Sequence, residues 1–180
     1  MNLPSTRDSN QDLRERHGQW DPVTPRVYCP LACSWSGEQG DLKAHIMEDH
    51  ADRILDDSGQ EGEHVKTWKL ALRVTDKRVI FTQREVFLYR QKLNTLGRVF
   101  HVGVQYLGPV SNAATFKYEV ELSAEDDHQK FVKFRQTLGE DEDIEAAILT
   151  GNSCINVDYE IVKTFTSKKN FSFSVKISSW

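Results

Sequence analysis

The sequence predicts a mainly β chain: an antiparallel β-sandwich of about eight strands with one short helix, preceded by a small finger held by a metal. Three observations carry this expectation. From Val65 onward, apolar residues recur at every second position in one short segment after another, the mark of half-buried strands. One stretch alone, with Ile144, Ala147 and Ile148 at i, i+3 and i+4, has the period of a helix. Ahead of the alternating region, Cys29 and Cys33 precede His45 and His50 in the pattern Cys-x3-Cys-x11-His-x4-His.

Residues 1–24 are polar, carry four acids against three arginines, and show no periodicity; they read as a disordered polar tail. The Asp21-Pro22 and Thr24-Pro25 steps break the chain before the finger, which spans residues 25–55. There a short knuckle brings two thiolates together, and a helical turn presents two imidazoles on one face. Trp35 and Leu42 fall between the ligand pairs, where a small finger keeps its apolar plug. A segment this short cannot hold itself by burial, because below about 40 residues a metal or a disulfide has to help. One structural Zn2+ on Cys29, Cys33, His45 and His50 supplies that help. With four protein ligands it keeps no open position for water, unlike a catalytic zinc.

Residues 56–64 are acidic and Gly-containing and read as a linker; Ile54 and Leu55 are the apolar pair available to pin it. The sandwich follows over residues 65–180. Trp68, Leu70, Leu72 and Val74 alternate with Lys69, Ala71, Arg73 and Thr75 as its first strand. Arg78–Thr82 and Val86–Gln91 are the next two candidates, with Lys92–Gly97 as a turn. Phe100 to Tyr106 and Phe116 to Leu122 alternate cleanly, separated by the turn-forming Gly108-Pro109. A strand around Phe131–Arg135 precedes the helix, whose start is crowded with acids from Glu140 to Asp143 and whose end is Gly151. Ile155, Val157 and Tyr159 suggest another strand, Thr166–Lys169 a turn, and Phe171 to Ile177 the last strand.

Charge and composition exclude several classes. With 38% hydrophobic and 28% charged residues the chain suits a soluble globular protein, and no apolar run reaches the roughly 18 residues of a membrane helix. A net charge of −4 argues against nucleic acid, whose binding rests on neutralising phosphates. The finger is itself acidic: Glu38, Asp41, Glu48, Asp49 and Asp52 outnumber Arg26, Lys43 and Arg53. Three cysteines, two of them metal ligands, do not make a secreted disulfide scaffold, so cytoplasm or nucleus is the expected address. Cys154 lies in an apolar alternation beside Ile155, the setting of a buried structural thiol and not of a hydrolase nucleophile. His17 and His64 read as solvated residues.

Over roughly residues 26–179 the chain resembles the seven-in-absentia family of ubiquitin ligases. The motifs are VYCPLACSWSG, the His45 and His50 pair, HVGVQYLG, ATFKYEVEL, DEDIEAAILTGNSC and the closing FSFSVKIS, in the family's order. The zinc spacing resembles the second of that family's tandem fingers. The resemblance implies a TRAF-like sandwich that binds degron-containing substrate proteins and pairs with itself or with a full-length family ligase. It also implies an extended degron peptide added beside an edge strand. The matching strand is Arg78–Thr82, where Arg78 and Ile80 take two positions that the family fills with large side chains. Family members carry a RING, which needs eight zinc ligands, and here only Cys154 is left over after the finger. The expectation is therefore an adaptor, non-catalytic alone, that binds substrates and zinc without a RING. The alternative is a truncated form of a RING-type ligase promoting protein degradation.

Overall fold

The computed structural model describes residues 26–56, 65–82, 85–124, 128–168 and 170–180. The expected tail over 1–24 and most of the expected linker lie outside these residues, as do His17 and His64. In chain order the elements are β1 (Val27–Tyr28), β2 (Ser36–Gly37), α1 (Leu42–Asp49), β3 (Ile54–Asp56), β4 (Val65–Leu70), β5 (Thr75–Thr82), β6 (Glu85–Asn94) and β7 (Val99–Tyr106). Then come α2 (Val110–Ala113), β8 (Phe116–Ala124), β9 (Gln129–Gln136), α3 (Ile144–Thr150), β10 (Ile155–Asp158), α4 (Tyr159–Thr166) and β11 (Phe171–Ser179).

Two sheets make the sandwich. One has five strands in the order β10-β7-β6-β5-β3, the other four in the order β4-β11-β8-β9. Their alternating apolar positions meet in a single core: Ile80, Phe87, Tyr89, Phe100, Val102 and Val104 from one sheet face Trp68, Tyr118, Val120, Leu122, Phe173 and Val175 from the other. The opposite face of the five-stranded sheet is also covered. Val79, Phe81 and Leu88 point outward there and join Leu42 and Ile46 of α1 and Ile144, Ala147 and Ile148 of α3 in a second buried cluster. α3 packs directly over Gly103 of β7, where a Cβ would stand 3.4 Å from both Ile144 and Ile148, ordinary van der Waals contact.

The predicted helix forms as expected. Asp143 caps it by accepting hydrogen bonds from the Glu145 and Ala146 backbone N–H groups, and Gly151 ends it in the left-handed region at φ 76°. Two expectations are corrected. Tyr159 does not continue a strand: Asp158 accepts from the Glu160 N–H and caps α4, which buries Val162 and Phe165. The sandwich thus carries three short helices among the described residues, where one was expected. Ile54 and Leu55 are not a loose connector but β3, pairing in parallel with Val79 and Ile80 of β5.

The strand expected to take a peptide, Arg78–Thr82, lies within β5. β5 is an interior strand, paired along its length with β6 and, over Val79–Phe81, with β3. Ile80 faces the other sheet and is fully buried. Arg78 shares that face, and its guanidinium is already engaged by Asp76 at 3.0 Å and by the Asp52 carbonyl. Period-two alternation locates a strand but not its rank within a sheet, which is set by the pairing of β3 with β5.

Candidate metal centre and the free sheet edges

The hairpin β1–β2 and helix α1 bring the four predicted ligands together. The backbone turn between Cys29 and Cys33 is closed by the Ala32 N–H donating to Cys29 O at 3.1 Å, with Ala32 in the left-handed region at φ 64°. The Cys29 N–H donates to Trp35 O, which sets the knuckle against β2. Helix α1 carries His45, and His50 follows as its C-cap. The ligand atoms of Cys29, Cys33, His45 and His50 all lie within 4.8 Å of one another, a group that could hold a metal ion.

Three details fit a cation among them. His45 Nδ1 meets Asp49 Oδ2 at 2.8 Å, one helical turn on, so its Nε2 is left facing Cys33 Sγ at 3.3 Å. A carboxylate on the far nitrogen is the usual partner of a metal-binding imidazole, fixing its tautomer and raising its basicity. His50 Nε2 is buried with no hydrogen-bond partner, an orphan that a metal would satisfy. Burial pushes the Cys29 thiol up, which disfavours the thiolate until a cation compensates. Trp35 stacks on the His45 ring at 4.5 Å and 2°, so the expected apolar plug also positions a ligand. Asp49 is not among the residues that the ligand spacing singles out; its i+4 spacing from His45 is legible once the segment is helical.

The finger is not an appendage on a string. Ile46 and Leu42 sit in the second buried cluster, Gln39 Nε2 donates to Leu107 O at 2.9 Å, and Lys43 Nζ lies 5.3 Å from the centre of the Phe81 ring. A single turn over Ala51–Arg53 then separates His50 from β3, so the metal group and the edge of the five-stranded sheet are consecutive in the chain.

The structure does place a histidine beside Cys154. His101 Nδ1 lies 4.0 Å from its Sγ, and 2.6 Å from Asn156 Oδ1. The arrangement has the residue types of a thiol-hydrolase triad without its geometry. The same ring nitrogen faces both neighbours, whereas a triad uses one nitrogen for the thiol and the other for the orienting group. Burial pushes the Cys154 thiol up, and its Sγ is within 3.4 Å of Ala147 O as a donor. This is the buried structural thiol expected from its apolar context.

Edge strands are where a sheet can accept a further chain. Among the described strands, β4 and β9 close the four-stranded sheet, while β10 and β3 close the other. β4 points Trp68 into the core and leaves Lys69 exposed.

Comparison with known proteins agrees with this architecture. A family model described as "Sina, TRAF-like domain" matches residues 80–176, and no curated protein matches the chain. That domain is the substrate-binding domain of seven-in-absentia ubiquitin ligases. The matched span runs from β5 through most of β11, and the described Cys/His group lies N-terminal to it. With more than half of its residues in that match and the sandwich those residues build, the chain belongs to the Sina, TRAF-like domain family.

Proposed function

We propose that this chain is a substrate-binding or adaptor protein of the ubiquitin–proteasome pathway, stabilised by one structural zinc and non-catalytic by itself. The observation that carries the reading is the family match across the sandwich, in a chain whose finger packs directly on that sandwich. Two thiolates and two imidazoles are the donor set of a closed tetrahedral zinc site, and Cys29, Cys33, His45 and His50 would hold it. When bound, the ion supplies folding energy and leaves no position for a reacting water. The remaining cysteine, Cys154, is buried, so these 180 residues do not hold the eight ligands of a RING. An extended degron segment adds to one of the edge strands, β3, β4, β9 or β10, main-chain bonds giving affinity and neighbouring side chains giving selectivity. The partners are degron-bearing proteins of cytoplasm or nucleus and a second family sandwich, either its own copy or a full-length ligase.

The test is affinity capture from cell extract, with zinc content and ubiquitin-chain synthesis measured on the purified chain. The reading expects one zinc per chain, recovery of a family ligase or its substrates, and no chain synthesis unaided. Polyubiquitin built by these residues alone, or capture of neither ligase nor substrate, would overturn it.

A further inference from the structure

Among the four edges, β9 stands apart in length and exposure. It has eight residues, against three in β3, six in β4 and four in β10. None of its side chains is buried, whereas β4 buries Trp68 and β10 buries Ile155 and Val157. It also carries an exposed apolar surface. Val132 and Phe134 lie on the outer face of the sheet, opposite Glu121 and Glu119 of β8. Phe134, 64% exposed, meets Trp180, 65% exposed, edge to face at 6.4 Å, and Lys117 Nζ lies 4.5 Å from the centre of the Trp180 ring. Among the described residues, β3, β4 and β10 expose no large apolar side chain.

Charge narrows what could pair with this strand. β9 holds Lys130, Lys133 and Arg135 and no acid. Glu121 takes Lys130 at 2.8 Å and, together with Glu119, takes Lys176 at 3.0 Å, so the acids of β8 are occupied. Lys117, Lys133 and Arg135 have no carboxylate partner among the described residues; the Lys133 ammonium donates to Asn156 O at 2.7 Å. In a chain of net charge −4, this corner is a local surplus of positive charge. A second copy of β9 cannot answer it, because in any register of a self-pair the cations meet no acid. Edge lysines guard a sheet against pairing with its own kind, and the same charges complement an acidic strand.

Alternation along β9 then sets the order of the partner's side chains. Val132 and Phe134 share one face of the sheet, while Lys133 and Arg135 share the other, in register with Val120 and Tyr118. Residues opposite one another on neighbouring strands share a face, so a strand laid against β9 complements it with apolar and acidic residues in turn. We infer that β9 is the docking edge for an extended segment of a partner protein in which acidic and apolar residues alternate. The inference rests on the reading that an extended segment joins a sheet edge, and it deepens that reading by giving the edge and the chemistry.

The experiment titrates the full chain, zinc-loaded and 15N-labelled, with acetyl-Thr-Glu-Val-Glu-Val-Thr-amide to millimolar concentration. Run antiparallel to β9, this peptide sets its acids beside Arg135 and Lys133 and its valines beside Phe134 and Val132. Amide shifts are expected along β9 and at the Trp180 indole, with β3, β4 and β10 silent. Replacing both peptide acids by Gln should weaken binding about two- to twentyfold, as for two exposed ion pairs. Arg135→Glu, at an exposed position, should weaken the acidic peptide several-fold, leave the Gln peptide nearly unaffected and keep the thermal midpoint. Phe134→Thr should weaken both peptides alike. Equal affinity for the acidic and Gln peptides would refute the inference. So would β9 amides that move with protein concentration as the mass doubles, since a second copy then holds the edge. Shifts confined to β3, β4 or β10 would refute the choice of β9 and leave the reading of an edge-bound segment standing. Absence of any shift would refute the inference too, the adaptor reading then being judged by capture from extract.

Discussion

Ile46 is the most informative single position, because it separates a finger tethered to the sandwich from a finger built into it. It is fully buried where α1 packs on the outer surface of the five-stranded sheet, in one cluster with Val79, Phe81 and Leu88. Ile46→Ala removes three carbons from that cluster, about 2.4 kcal/mol at ~0.8 kcal/mol per buried carbon. The residual cavity adds to this, and buried Ile→Ala changes span about 2–5 kcal/mol, so about 3 kcal/mol is expected. For a chain of this length each kcal/mol moves the thermal midpoint by about 2–4 °C, giving a fall of roughly 6–12 °C. Met47, the next residue, is 56% exposed, and Met47→Ala serves as the matched control, expected within about 0.5 kcal/mol of the parent. Thermal and urea unfolding of the zinc-loaded proteins measure both. Hydrogen exchange should show β3 and the paired part of β5 losing protection in Ile46→Ala, since β3 follows the finger by a single turn. If the two substitutions cost the same, or if β3 keeps its protection, the finger does not stabilise the sandwich and the reasoning fails.

Three further outcomes are expected. Gly151→Ala should cost about 1–2 kcal/mol in chemical denaturation: the residue sits at φ 76°, and a Cβ there would stand 3.1 Å from the His101 ring. Gln91→Ala should cost about 3 kcal/mol, because it leaves the Tyr89 hydroxyl and the Ala71 and Arg73 carbonyls without their partner inside the protein. Acid should weaken the fold through Glu121 and Glu145. Partial burial would raise both carboxyls, but hydrogen bonds from Lys130 and Lys176 to the first, and from Lys77 and Arg90 to the second, together outweigh it and hold each below the usual range. With folded values below unfolded ones, the unfolded chain binds more protons, so the stabilisation is complete above about pH 4.5 and is lost as pH falls through the lower folded values. Glu145→Gln should flatten part of that acid limb in a pH series of urea midpoints, by a small amount because its carboxylate is half exposed. An unchanged limb in both Glu145→Gln and Glu121→Gln would count against the assignment.

The amino-acid order by itself determined the Cys/His quartet that could hold a metal ion, most of the strands and the capped helix α3. Each is a local property: ligand spacing around one ion, period-two alternation, and an Asp143 to Gly151 frame around an apolar i, i+3, i+4 pattern. It did not reveal α4, because Ile155, Val157 and Tyr159 read as one alternating strand until the Asp158 cap and the burial of Val162 and Phe165 settle the period. Nor did it reveal that β5 is interior. Whether a strand lies at an edge depends on what pairs with it, and β3 comes from the far side of the finger. That single non-local pairing covers β5 over Val79–Phe81 and makes β3 the edge of its sheet. Tertiary structure likewise decided that the finger is part of the core, since the apolar side chains at Leu42 and Ile46 fit a free-standing finger equally well until Val79 and Phe81 are seen to face them. Chemistry carried by spacing is written along the chain, whereas a surface exists only once the segments that cover its neighbours have been placed.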